Sequence, residues 1–183
     1  MKLSLKNLLC LFVLLLSTSC ISKKNSKLRT NNQFNEKYKE SVKSFTGTLD
    51  ATQYKEIRAL FEKELNTTLP QDKNILINYS QKAENCISPG INKRKKSIQI
   101  DNKIKISQSI CVQNNTIDFF VYTEDNFDKE KVNFILDSGF FYNKVFTLHE
   151  NCAAFFILKS NGDFMKFYGE DYYSQVIYFL KKK

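Results

Sequence analysis

Three cysteines, Cys86, Cys111 and Cys152, are the side chains of this sequence best suited to making and breaking covalent bonds. A thiolate attacks disulfides, and two thiols can close one. Cys10 and Cys20 complete the set of five. His149 is the only histidine, with Glu150 beside it and Cys152 three positions on. A Cys–His pair activates a nucleophile only if the side chains meet in space, so His149 reads first as a loop residue. One histidine among scattered cysteines does not make a zinc site, and no metal or other cofactor is expected. Five glycines, none clustered, exclude a phosphate-cradling loop. Lys82 and the run Lys93-Arg94-Lys95-Lys96 would lower the Cys86 pKa if they folded beside it. Taken alone, the run reads as a solvated turn.

The N-terminus reads as an address. Lys2 and Lys6 precede a nine-residue apolar run, Leu8 to Leu16, too short to span a bilayer. Ser17-Thr18-Ser19-Cys20 resembles a bacterial lipobox, with Ser17 where that pattern prefers Leu. The expectation is a signal peptide over 1–19 and lipidation of Cys20, with palmitate among its acyl chains. The mature protein would then be held on membrane lipid in the bacterial cell envelope, facing the periplasm or the exterior. Disulfides persist there. Loss of Cys10 with the signal and lipidation of Cys20 leave three thiols, for which one pair and one free thiol is the simplest arrangement.

The formal charge of +9 is unevenly spread. Residues 21–48 carry a balance of +5 and residues 49–183 only +2. The basicity belongs to a tether over 20–48, rich in Asn, Ser and Lys, read as flexible. Beside a lipid anchor such a tether suits anionic head groups or serves as a solvated spacer. Nucleic acid is not an expected partner.

The cysteines need elements to position them. Asp50 can cap a helix over 50–65, with Tyr54, Ile57, Leu60, Phe61 and Leu65 on one face and Arg58 mostly on the other. Asn74 to Tyr79 reads as a strand, followed by a polar loop holding Cys86. Residues 97–106 alternate apolar and polar around Asp101-Asn102, which predicts a hairpin. Thr116 to Tyr122 is a further strand. A helix capped by Asn126 or Asp128 follows, with Val132, Phe134, Ile135 and Leu136 on its apolar side and Gly139 as its stop. Tyr142 to Leu148 reads as a short extended piece. Phe155–Leu158 and Phe164–Tyr168 form a hairpin about Asn161-Gly162, and a last helix runs from about Asp171 to Lys181. This order predicts an α/β (α+β) fold, a mixed sheet with helices on both faces.

Over roughly 70–183 the chain resembles the thioredoxin-like family, nearest its extracytoplasmic thiol–disulfide oxidoreductases and peroxiredoxin-like relatives. Ile75-Leu76-Ile77-Asn78-Tyr79 followed by Cys86 is similar to the family's first strand and redox loop. Phe119 to Asp125 and Lys129–Leu136 are similar to its second strand and following helix. Ala153 to Leu180 matches its closing hairpin and helix in spacing. The resemblance implies a thioredoxin-like domain over 49–183, with Cys86 as attacking thiol and Cys152 facing it across the site. It implies a Cys86–Cys152 pair that is structural or exchangeable, with Cys111 as the rival partner.

This sequence departs from the family at the chemistry. The family's resolving thiol follows the attacking one at a Cys-x-x-Cys spacing. Here Cys86-Ile87-Ser88-Pro89 puts a proline in that place, and Ala153 occupies the cis-proline position. The helix that normally follows the redox loop is replaced by the basic and alternating stretch. Ordinary dithiol exchange is excluded. The expectation is a membrane-anchored lipoprotein with a degenerate redox site and a binding or structural role toward a protein partner. The alternative is a monothiol redox protein using Cys86, resolved by Cys152 or Cys111. If an enzyme, it is a thiol–disulfide oxidoreductase or peroxiredoxin-like. A third reading is an unrelated small α+β lipoprotein.

Overall fold

The structure is a computed structural model that describes residues 39–83, 93–123, 134–170 and 173–182. In chain order its elements are β1 (Lys43–Thr48), α1 (Ala51–Glu64), β2 (Asn74–Ser80), α2 (Lys93–Gln113), β3 (Thr116–Tyr122) and β4 (Phe134–Leu136). A π-helical turn (Phe141–Val145), β5 (Ala153–Leu158), β6 (Asp163–Tyr168) and α3 (Tyr173–Lys181) complete them. The strands form one six-stranded sheet in the order β1-β6-β5-β2-β3-β4. β2 pairs parallel with β3, and β3 with β4. β5, β6 and β1 join antiparallel. This is the mixed-sheet α+β architecture expected from the order of elements.

Alternation along the central strands divides the core in two. Ile75, Ile77, Tyr79, Val121, Ala154, Phe156 and Tyr168 point to the face covered by α1 and the π-helical turn. Leu76, Phe155, Ile157, Met165 and Phe167 point to the other face, covered by α2 and α3. β5 is buried along its whole length because it serves both layers, which explains its unbroken apolar run. The hairpin after β5 turns at Gly162, whose φ of +91° an L side chain rarely adopts.

α1 begins at a reciprocal cap. The Asp50 carboxylate accepts from the Thr52 and Gln53 amides at 2.9 Å, and the Gln53 side chain accepts from Asp50 N at 3.2 Å. Phe61 and Leu65 are buried as expected, but Leu60 is exposed. Arg58, read as outward-facing, is only 3 % exposed. Its guanidinium donates to the Tyr54 hydroxyl and to the Leu69 and Pro70 carbonyls, tying α1 to the loop before β2. A planar fork with five donors can satisfy two stranded carbonyls in this way.

Four expectations are corrected. Residues 97–106 are not a hairpin but the middle of α2. Of the four isoleucines that suggested period two, Ile100 and Ile104 are half-buried and fall at helical spacing with the buried Ser107, Ile110 and Cys111. Ile98 and Ile106 are exposed, so the true period is helical. The helix after the Cys86 loop is therefore present rather than replaced. Phe134–Leu136 is a strand, not part of a helix, because its backbone pairs with Phe120–Tyr122. The rest of that expected helix, 126–133, lies outside the described residues.

Residues 142–148 are not extended. The Asp137 carboxylate accepts from the Gly139, Phe141 and Tyr142 amides and from the Tyr79 hydroxyl, and this winds the chain into the π-helical turn. Finally, the fold begins before residue 49. Lys43–Thr48, read as tether, is an edge strand paired with Asp163–Tyr168. A lysine-bearing strand at a sheet edge deters further pairing, and this one conceals its strand character in a basic, polar composition.

Candidate functional site

Cys152 immediately precedes β5, at the carboxyl end of the parallel strands β2 and β3. Its carbonyl accepts from Gln81 N at 2.9 Å, and the next residue pairs with the last of β2, Ala153 with Ser80. The half-buried Cys152 Sγ lies 3.8 Å from the Ala83 carbonyl oxygen, three residues before Cys86. Ala153 opens β5, and its carbonyl accepts from Gly169 N at 2.9 Å. No cis peptide bond occurs among the described residues. Cys86 itself lies outside the described residues, as does Cys20.

A buried polar network fixes the loop that carries Cys152. Ser41 Oγ donates to Asn151 Oδ1 at 2.9 Å, and Asn151 Nδ2 donates to the Ser41 carbonyl at 2.7 Å. Gln81 Nε2 donates to the Asn151 carbonyl at 2.9 Å and to the Leu148 carbonyl at 3.3 Å. Ser41, Gln81 and Asn151 are all buried, so each bond also relieves the cost of desolvating an amide or hydroxyl. The network joins the approach to β1, the end of β2 and the start of β5. Sequence reasoning missed all three residues. Their polar types and the distances between them in the chain carry no signal of a shared burial.

His149 belongs to the same cluster. Its Nδ1 is 3.2 Å from Gln81 Oε1, and its ring stacks on Tyr142 with centroids 3.7 Å apart. Because Gln81 Nε2 is committed to two carbonyls, Oε1 must face the imidazole. The neutral ring therefore carries its proton on Nδ1 and leaves Nε2 as the base. Nδ1 and the ring face are thus committed to Gln81 and Tyr142. Lys82 is exposed on the loop leaving β2, and the run Lys93–Lys96 opens α2.

Cys111 sits apart from these groups, in the core layer beneath α2. It is buried and is the free cysteine of the described residues. Burial, reinforced by the nearby Asp118 carboxylate and opposed by a Ser107 hydrogen bond, pushes its thiol up to about 12. Ser107 Oγ donates to Asp118 Oδ2 at 2.6 Å and accepts from Asn78 Nδ2 at 3.1 Å. A thiol held protonated in such surroundings is a poor nucleophile and a poor resolver.

Among the described residues no three His, Cys, Asp or Glu side chains gather as a metal site. No helix among them is long and apolar enough to cross a membrane. Comparison with protein-family models, with curated proteins and with solved structures finds no match for this chain.

Proposed function

We propose that this chain is a lipid-anchored, extracytoplasmic domain of thioredoxin-like architecture whose redox loop has become a structural cross-link, and that it works by binding a protein partner. The observation that carries the reading is the placement of its thiols. Cys152 lies at the carboxyl end of β2 and β3, with its Sγ 3.8 Å from the Ala83 carbonyl oxygen, whereas Cys111 is free and buried. On this reading Cys86 is the partner of Cys152, since the chain passes within 3.8 Å of Cys152 Sγ at Ala83. The β2–α2–β3 unit, the antiparallel hairpin and the terminal helix support the thioredoxin-like part of the proposal. Pro89 in the resolving position and Ala153 in place of proline support a binding role over dithiol exchange. The sequence of the N-terminus, Lys2 to Cys20, supports the anchor, and the basic stretch after it suits an anionic membrane surface.

Thiol trapping tests the proposal. The intact protein is alkylated before and after reduction, in wild type and in Cys86→Ser and Cys152→Ser. The reading requires that Cys86 and Cys152 become reactive together on reduction, and that Cys111 reacts only on unfolding. Accumulation of a mixed disulfide with another protein in either variant favours the monothiol redox alternative and sinks the structural one. Release of Cys20→Ala from the membrane fraction, with loss of acyl mass on the purified chain, tests the anchor separately.

A further inference from the structure

A second feature shares no residue with the Cys152 network. A cleft of about 450 Å³ opens on the α1 face of the sheet. Ile57 and Leu60 of α1 form one side, and Phe140 and Val145 of the turn form the other. The buried Phe61 and Phe156 rings form its base, held edge to face with centroids 5.5 Å apart. This volume is in the range of small-ligand pockets. The two remaining lining residues are Lys144 and Lys166, and none is acidic.

The lysines give the cleft a polarity. Lys144 is exposed on the turn. Lys166 Nζ donates to the Val145 carbonyl at 2.9 Å and lies 5.4 Å from the centroid of the Phe45 ring. An ammonium has three protons, and that carbonyl takes one. Lys144 is thus the exposed cation of the lining, and Lys166 is a half-buried one, its Nζ also 5.8 Å from the centroid of the Tyr168 ring. A neutral hydrocarbon filling the cleft would cover these heads without pairing them, at a desolvation cost. A cationic amphiphile would be repelled. A ligand with one anionic head and one apolar chain satisfies both parts.

We infer that this cleft binds a free alkyl carboxylate, with the chain between Ile57, Leu60 and Phe140 and the carboxylate at Lys144 and Lys166. The test is calorimetric titration of the full chain with hexanoate, octanoate and decanoate below micelle formation, beside decanol and decyltrimethylammonium. The expected result is saturable one-to-one binding of decanoate that tightens about two- to fourfold per methylene. Lys144→Ala with Lys166→Met should weaken decanoate about tenfold and leave decanol unchanged. Leu60→Asp should abolish both, with far-ultraviolet circular dichroism confirming that each variant is folded. The inference is overturned if decanoate fails to saturate, or if it binds no better than decanol or the cationic amphiphile. Binding of vesicles of anionic lipid without binding of decanoate also overturns it. So does a wild-type dimer that Leu60→Asp makes monomeric, because the cleft would then be covered by a second copy.

Discussion

The consequence most open to measurement is the loss of the proposed cross-link in Cys152→Ala. A bond between Cys86 and Cys152 closes a loop of about 66 residues, which in the chain-entropy account contributes about 4 kcal/mol. Cys152 is only half-buried, so the lost packing of one sulfur is a minor addition. The folded unit spans Phe34–Lys183, and at about 2.1 cal/mol/K per residue its melting entropy is about 0.3 kcal/mol/K. Tm should therefore fall by about 14 °C. The assay is thermal unfolding of wild type with and without reductant, beside Cys86→Ala, Cys152→Ala and the double variant. Both single variants, the double variant and the reduced wild type should melt together, because removing either cysteine already removes the whole link. Reductant should leave the variants where they are. An unmoved wild-type Tm under reductant, or losses in the two single variants that add, would refute the reasoning.

Three further outcomes follow from groups buried elsewhere. Cys111, with its thiol pushed up to about 12, should resist iodoacetamide in the native protein at pH 8 and react once unfolded. An unfolded thiol titrates near 8.5, so the stability that the neutral thiol contributes is complete below that pH. It drains away between about 9 and 12, and denaturant titration of wild type against Cys111→Ala across this range reads it. Lys103 has its pKa lowered by burial, partly restored by Glu170. The unfolded chain then binds more protons than the folded one between the depressed value and 10.5. Lys103→Met should therefore stabilise at pH 7, and its advantage should shrink as pH rises toward that value. Ser107→Ala removes one hydrogen-bond partner from each of Asp118 and the buried Asn78 and should cost about 1–3 kcal/mol by denaturant unfolding. Ser107→Thr, which keeps the hydroxyl, should lose less.

Much of the fold was legible because strong local signals agreed with the tertiary arrangement. β2, β3 and β5 have apolar runs, Asn161-Gly162 forces a turn, and Asp50 caps α1. The misreadings share one cause, a local pattern outweighed by a partner distant in sequence. Four isoleucines at even spacing imitate a strand, yet Ser107, Ile110 and Cys111 complete a helical stripe against the sheet. Phe134–Leu136 is apolar enough for either state, and the free edge of β3 decides for strand. Lys43–Thr48 has the composition of a linker and becomes a strand because β6 offers an unpaired edge. In the candidate site, Cys152 was legible by residue type and position. Gln81, Asn151 and Ser41 were not, since hydrogen bonds spanning 70 and 110 positions leave no trace in a local pattern.

The sequence by itself determined the fold class, the closing hairpin and helix, and the absence of a Cys-x-x-Cys pair. Those rest on short-range properties: the period of apolar residues, turn chemistry and the spacing of thiols. Only the tertiary structure decided which thiols differ and how. Cys111, between Ile110 and Val112, and Cys152, between Asn151 and Ala153, are the same residue type, and neither setting in the chain states the fate of its thiol. One faces the core from α2 near Asp118, where desolvation keeps it protonated. The other is set at the end of the parallel strands beside the chain that leads to Cys86. Burial and proximity are properties of the packed layers, so the difference between a thiol held protonated in the core and one set at the end of the parallel strands exists only once the sheet has formed.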